Sequence, residues 1–276
     1  MKKAGIISCG VMAAVAGAVW LLAQPVPRDP GLFRNNAPDW ELSKTMPHDV
    51  FTFVRIRYSS YGGRGRKWAT DYPDADLNFS YRLQEMTSMK VHPDGKIIEL
   101  TDKELFDYPF IYIIEPGDLY FTEAEVVALR KYLLNGGFLM VDDFWGGYEL
   151  ENFLTEMKRV FPPKDYPKQQ PRELPLEHPI FHCVFDLKEK PQLPSIGMAM
   201  SGRMYEPRNH PTDDGAVVHY MGLHDDKGRL MGIICHNTDL GDGWEREGED
   251  PEYFRRFSEP KAYPMGINII YYALTH

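Results

Sequence analysis

The chain has 276 residues, 43% of them apolar and 26% charged, which leaves room for one large core or two modest ones. Its 16 Tyr, 15 Phe and 5 Trp exclude a disordered or collagen-like chain, and its one long apolar run excludes a polytopic membrane protein. With 31 Lys+Arg against 40 Asp+Glu, the net charge of −9 argues against a broad nucleic-acid-binding face.

Lys2 and Lys3 precede an apolar run from Ala4 to Ala23, followed by Gln24, Pro25, Val26, Pro27 and Arg28. A positive start and about 20 apolar residues fit two readings. One is a secretory signal, with Leu21-Leu22-Ala23 as the cleavage site; the other is a helix that anchors the chain in the inner membrane. Both keep the lysines cytoplasmic and put everything after Pro25 outside, periplasmic or secreted. Residues 1–24 are thus the signal or anchor, 25–48 a proline-rich linker, and 49–276 a single α/β domain. In such a compartment Cys183 and Cys235 are free to pair, although the apolar run around Cys235 suits an inert buried thiol.

Phe51 to Tyr58 alternates apolar and polar residues and reads as a first strand. A basic loop follows, and Asp76 reads as the N-cap of a helix with Phe79, Leu83 and Met86 on one face. Ile97 to Leu100 is a short strand, and the continuous apolar run Phe110 to Ile114 is a strand covered on both faces. Thr122-x-x-Glu125 forms a capping box ahead of Val126, Leu129 and Leu133; Gly136-Gly137 stops the helix, and Phe138 to Val141 is the next strand. Strand, helix and strand at this spacing make a βαβ unit, hence a parallel sheet. A helix is expected from Tyr148 to Val160, then a proline-rich surface excursion from Phe161 to Pro211. Val217 to Met221 and Leu230 to Cys235 form a hairpin around Asp225-Asp226-Lys227-Gly228, and Met265 to Leu274 is a closing helix.

Ligands of open parallel sheets gather at the carboxyl ends of the strands. Three segments fit that place: the loop with Arg64, Trp68, Asp71, Asp76 and Asn78; the turn Asp142-Asp143; and the stretch with His236, Asn237, Asp239, Asp242 and Trp244. Adjacent carboxylates on a strand point to opposite sides, so at most one of Asp142 and Asp143 is expected to face a ligand. The Gly62-Gly63-Arg64-Gly65-Arg66-Lys67 run lacks both phosphate-loop spacings. Asp74, Asp76, Asn78 and Glu85 fall at calcium-loop offsets, but Phe79 stands where that loop needs glycine. His236-x-x-Asp239-x-x-Asp242 and the pair His219 and His224 lack any close zinc spacing. The reading therefore assigns no metal and no cofactor.

The blocks Phe51–Tyr58, Trp68–Asn78, Gly136–Phe144 and Asn237–Trp244, in that order, resemble the bacterial domain-of-unknown-function family numbered 4159, over roughly residues 49–275. The resemblance implies a class I glutamine amidotransferase-like fold, a flavodoxin-like three-layer arrangement of a mostly parallel sheet flanked by helices, with the β-hairpin as an addition. It implies no established activity. Amidotransferases carry a nucleophilic cysteine in the turn after the strand that corresponds to Phe138–Val141; here Asp142, Asp143 and Phe144 stand there, so the thiolate that glutamine hydrolysis needs is missing.

The expectation is a non-catalytic, extracytoplasmic module of the bacterial envelope that binds a small polar ligand or a protein partner, and no nucleic acid. Its site would comprise Arg64, Trp68, Asp71, Asp76, Asn78, Asp142, Asp143, Asn237, Asp239 and Trp244, with Trp68, Trp145 and Trp244 as stacking surfaces. The alternative is a hydrolase in which Asp143 or Asp142 is nucleophile or base, assisted by His236.

Overall fold

Two short strands, β1 (Val54–Ile56) and β2 (Ser59–Ser60), come first in the structure, a computed structural model that describes residues 32, 34–42, 49–61, 66–207 and 214–276. α1 (Asp74–Met86) buries Ala75, Phe79 and Leu83, which repeat every four residues along one face. Met86, expected on that face, is exposed. The helix also starts two residues before Asp76, which is therefore not its cap.

β3 (Lys96–Ile98), β4 (Phe110–Ile114) and β5 (Leu119–Tyr120) lead to α2 (Glu123–Leu134). The capping box at its start is formed: Glu125 N donates to Thr122 Oγ1 at 3.3 Å, and Thr122 N donates to the Glu125 carboxylate at 2.7 Å. A Thr122→Ala change is expected to cost about 1 kcal/mol, read as a lower denaturant midpoint at unchanged slope.

β6 (Phe138–Asp142) completes the βαβ stretch, and α3 (Gly146–Val160) follows it. The proline-rich excursion then contributes only the two-residue β7 (Arg172–Glu173) and the single turn α4 (Ile196–Met200). β8 (His219–His224) and β9 (Leu230–His236) form the expected hairpin, closed where Asp225 N donates to Arg229 O at 2.9 Å. The chain ends with α5 (Leu240–Glu245), α6 (Pro251–Tyr253), a π-helical segment Phe254–Ala262 and α7 (Tyr263–Thr275).

One seven-stranded sheet has the order β3-β1-β4-β6-β9-β8-β7; its first five strands are parallel, and β8 and β7 add on antiparallel. Renumbered along the chain, the parallel strands run 2-1-3-4-5, the order of doubly wound sheets, in which the direction of winding reverses between β1 and β4. Helices cover both faces. Phe53, Phe110, Tyr112, Met140 and Ile233 pack toward α1, α5 and α7, while Val54, Ile111, Ile113, Val141 and Ile234 pack toward α2 and α3. This double cover makes β1 wholly buried, including Arg55, the polar residue of its alternating sequence.

The signal or anchor expected at residues 1–24 lies outside the described residues. Of the linker, residues 34–42 are fastened to the domain: Arg34 Nη1 donates to Pro93 O at 2.9 Å and to Asp94 at 2.8 Å, and Trp40 Nε1 donates to Val91 O at 3.0 Å. Among the described residues no helix is long and apolar enough to cross a membrane.

Candidate functional site

A buried arginine builds the first wall of the site. Arg55 projects from β1 to Asp76 on α1, with Nε at 3.1 Å from both carboxylate oxygens and Nη2 on Oδ1. Its Nη1 donates to the carbonyls of Trp68 at 3.0 Å and Thr70 at 2.9 Å, and its guanidinium lies 5.1 Å from the Tyr112 ring centroid. Two loop carbonyls held by one fully buried side chain fix the backbone just ahead of Asp71, which then adopts a left-handed φ of 62°.

Asp71, in the loop before α1, meets acids that follow β6 and β9. One carboxylate oxygen from each of Asp71, Asp143 and Asp239 lies within 4.8 Å of the others, and Asp71, Asp242 and Glu245 form a second such group. Gly241 makes the approach feasible: its N donates to Asp142 Oδ2 at 2.9 Å, and a Cβ on it would fall 2.5 Å from Asp71 Oδ2. Asp142 Oδ2 also accepts from Tyr112 Oη at 3.3 Å. Asp143 Oδ1 accepts from Trp145 Nε1 at 3.1 Å, and Asp239 Oδ1 accepts from Asp242 N at 2.7 Å as the cap of α5.

So many acids in little water hold protons tightly. Burial pushes the Asp71, Asp143 and Asp239 carboxyls well above the ordinary range, and the neighbouring acids push them further. Burial raises Asp142 to about 7 despite the Gly241 amide, and raises Glu245 to about 7 although Arg246 opposes it. Arg246 serves the outer acids, with Nε 3.1 Å from Asp242 and Nη2 2.7 Å from Glu245. Among the described residues no ion pair reaches Asp71, Asp142, Asp143 or Asp239. Two oxygens in this region, Asp71 Oδ2 and Asp142 Oδ1, are buried with no hydrogen-bond partner there.

The match to a known family falls on this same chain segment. A family described as "domain of unknown function (DUF4159)" matches residues 52–274. The chain belongs to that family. No curated protein matches it. In this DUF4159 domain the matched segment contains every acid of the cluster, from Asp71 to Glu245.

Of the residues expected at the site, Asp71, Asp142, Asp143 and Asp239 come together at the carboxyl ends of the strands. At most one of Asp142 and Asp143 was expected to face a ligand, and only Asp143 belongs to the triad; it leaves the strand with a φ of 54°. Other expected contacts are spent inside the domain. Asp76 is consumed by Arg55. Asn78 Nδ2 donates to Trp244 O at 2.9 Å, tying α1 to α5. Asn237 is fully buried; its Oδ1 accepts from Gly146 N at 2.8 Å and its Nδ2 donates to Val217 O at 2.7 Å.

Trp145 and Trp244 are wholly buried, which corrects the expectation of stacking surfaces there. Trp244 packs 4.4 Å from the Phe79 ring centroid. Trp68 is half-buried against the α2 and α3 side. Arg64 lies outside the described residues.

His236 does not serve the carboxylates. Alternation along β9 turns it to the α2 and α3 face, where its ring lies 4.9 Å from Phe144 and its Nε2–H donates to Gly146 O at 3.1 Å. Asp142 and its partner Tyr112 are on the other face. Burial depresses the imidazole to about 4, which keeps the ring neutral.

Sequence reasoning left out Arg55, Glu115 and Glu245. Glu115 follows β4 with a φ of 45°, takes a hydrogen bond from Thr70 Oγ1 at 3.0 Å and is neutralised by Lys67 Nζ at 3.4 Å. Glu245 had a signal: Asp239, Asp242 and Glu245 repeat every three residues, one helical face.

Proposed function

We propose that this domain is a binding module that holds a positively charged or hydroxyl-rich small ligand against Asp71, Asp143 and Asp239, and that it works outside the cytoplasmic membrane. The observation that carries the reading is the triad: three carboxylates from three separate connecting segments, with oxygens within 4.8 Å of one another and no ion pair to a cation among the described residues. An amine or guanidinium group entering the triad would displace the protons that burial holds on these acids and pair with the carboxylates, whereas a phosphate or nucleotide would find no positive charge there. Export is supported by Lys2, Lys3 and the apolar run to Ala23. A class I glutamine amidotransferase-like fold is part of this reading, supported by the doubly wound strand order. Glutaminase chemistry is not: Asp142, Asp143 and Phe144 occupy the turn after β6, Cys235 is fully buried in β9, and Cys183 has its Sγ 3.3 Å from Asn268 O. Both cysteines are free thiols.

A thermal-shift screen of the full chain against arginine, polyamines, amino sugars, neutral sugars and nucleotides tests this. Cationic or hydroxyl-rich compounds are expected to raise the midpoint of the wild type by a few degrees and to lose the effect in Asp143→Asn. Asparagine tolerates the left-handed backbone and keeps an oxygen for Trp145, so the variant isolates the charge. Hits confined to anions, or equal in both proteins, refute the reading.

A hydrolase is the second reading: fully buried Asp142, held by the Gly241 amide and Tyr112 Oη beside the triad, has its carboxyl raised by burial to about 7, where a carboxyl exchanges protons readily. It would act without His236.

A further inference from the structure

The binding site proposed above is described by charge, and its donor set points further. We propose that Asp71, Asp143 and Asp239 bind a hard divalent cation of the calcium type, with Asp142 as the carboxylate behind them. This rests on the reading of the acidic cluster as the binding site.

Three features of the site carry the proposal. First, the donors are all oxygens. The triad contains no histidine or cysteine, which selects Ca²⁺, Mg²⁺ or Mn²⁺ over zinc or copper. Secondly, the span fits. Two oxygens on opposite sides of a calcium ion are separated by about 4.8 Å, twice a Ca–O distance of about 2.4 Å. The three carboxylates already lie inside that limit, so they can share one ion without refolding a loop. Magnesium, at about 2.1 Å, demands a tighter cage.

Thirdly, the site has acceptors left over. Asp142 has none of its surface exposed, yet its Oδ1 has no partner among the described residues. Asp71, the acid common to both groups of three, likewise has Oδ2 buried and unpartnered. A buried carboxylate oxygen without a donor costs free energy that a bound cation would return. The second group, Asp71 with Asp242 and Glu245, is the weaker site: Asp242 Oδ2 accepts from Ile196 N at 2.6 Å, and Arg246 already supplies positive charge to both outer acids.

Trp145 gives the test an optical handle, because its indole nitrogen touches Asp143. The full chain, stripped with chelator, would be titrated with Ca²⁺, Mg²⁺, Mn²⁺ and, as an emissive calcium substitute, Tb³⁺. Thermal midpoint and tryptophan-excited terbium emission are the readouts, at constant ionic strength. The comparison is Asp239→Asn, in which asparagine still caps α5.

The expected result is a saturable rise of several degrees with Ca²⁺ in the wild type, terbium emission that excess Ca²⁺ displaces, and about a tenfold or greater loss of affinity in the variant. The metal-free variant is expected to be at least as stable as the metal-free wild type, since it relieves repulsion; this separates lost binding from lost folding. A Ca²⁺ response equal in both proteins overturns the proposal. No divalent response together with a spermidine or arginine response overturns the metal and leaves the binding module standing. Silence toward all of them overturns both.

Discussion

Replacement of Arg55 by methionine is expected to destabilise the domain by about 3–5 kcal/mol, the largest effect of any single change considered. Arg55 and Asp76 are both fully or almost fully buried and face each other across β1 and α1. Removing the arginine leaves Asp76 as an uncompensated charge in the interior and orphans the Trp68 and Thr70 carbonyls that Nη1 now satisfies. The loss would be read from urea midpoints near neutral pH. Converting Asp76 as well, in Arg55→Met/Asp76→Leu, is expected to recover much of the stability, because an apolar pair has no charge to strand. It would not recover ligand or cation binding, since the loop before Asp71 has lost its anchor. A single replacement costing less than about 1 kcal/mol would contradict this account.

The second large effect is a pH dependence. Burial raises the Asp142 carboxyl from 3.8 to about 7. A carboxyl that binds its proton more tightly in the folded than in the unfolded state contributes most at acid pH, and that contribution is lost as pH climbs from about 4 through 7. For one such group the loss between pH 5 and pH 8 is about 3 kcal/mol. Asp142→Asn is fixed in the neutral form and lacks this slope. The stability difference between variant and wild type, measured with chelator present, is therefore expected to move by about 3 kcal/mol in the variant's favour over that range. A difference that stays constant with pH would mean that Asp142 ionises as it does in water. His236 acts in the other direction: its depressed value of about 4 removes stability as pH falls below 6.5. Both proteins carry that limb, so it cancels on subtraction.

The βαβ stretch from Phe110 to Asp142 was readable because each signal there is local: an apolar run, a reciprocal cap, a double-glycine stop. So was the convergence of three separated loops, since strand ends of a parallel sheet point the same way. What escaped depends on distant partners or on backbone turns. Arg55 sits in an alternating segment that reads as one-sided, and only the layer formed by α1, far along the chain, buries it. Asp143 was among the expected site residues, but alternation alone could not tell which of Asp142 and Asp143 would join the triad; the positive φ of Asp143 is a backbone turn with no sequence signal. Trp244 sits in a polar, glycine-containing stretch that reads as a loop, but Phe53, Phe79 and Tyr112 enclose it. Asn78 and Asn237 looked like ligand contacts because amides are versatile, and the chain's own carbonyls and amides claimed them first.

The outermost strands of the sheet have a consequence for how the molecule meets others. β3 contributes three residues on one flank and β7 only two on the other. Such stubs present few unpaired peptide groups, so neither flank offers a template on which a foreign strand could align. Short edges of this kind leave little backbone for edge-to-edge aggregation.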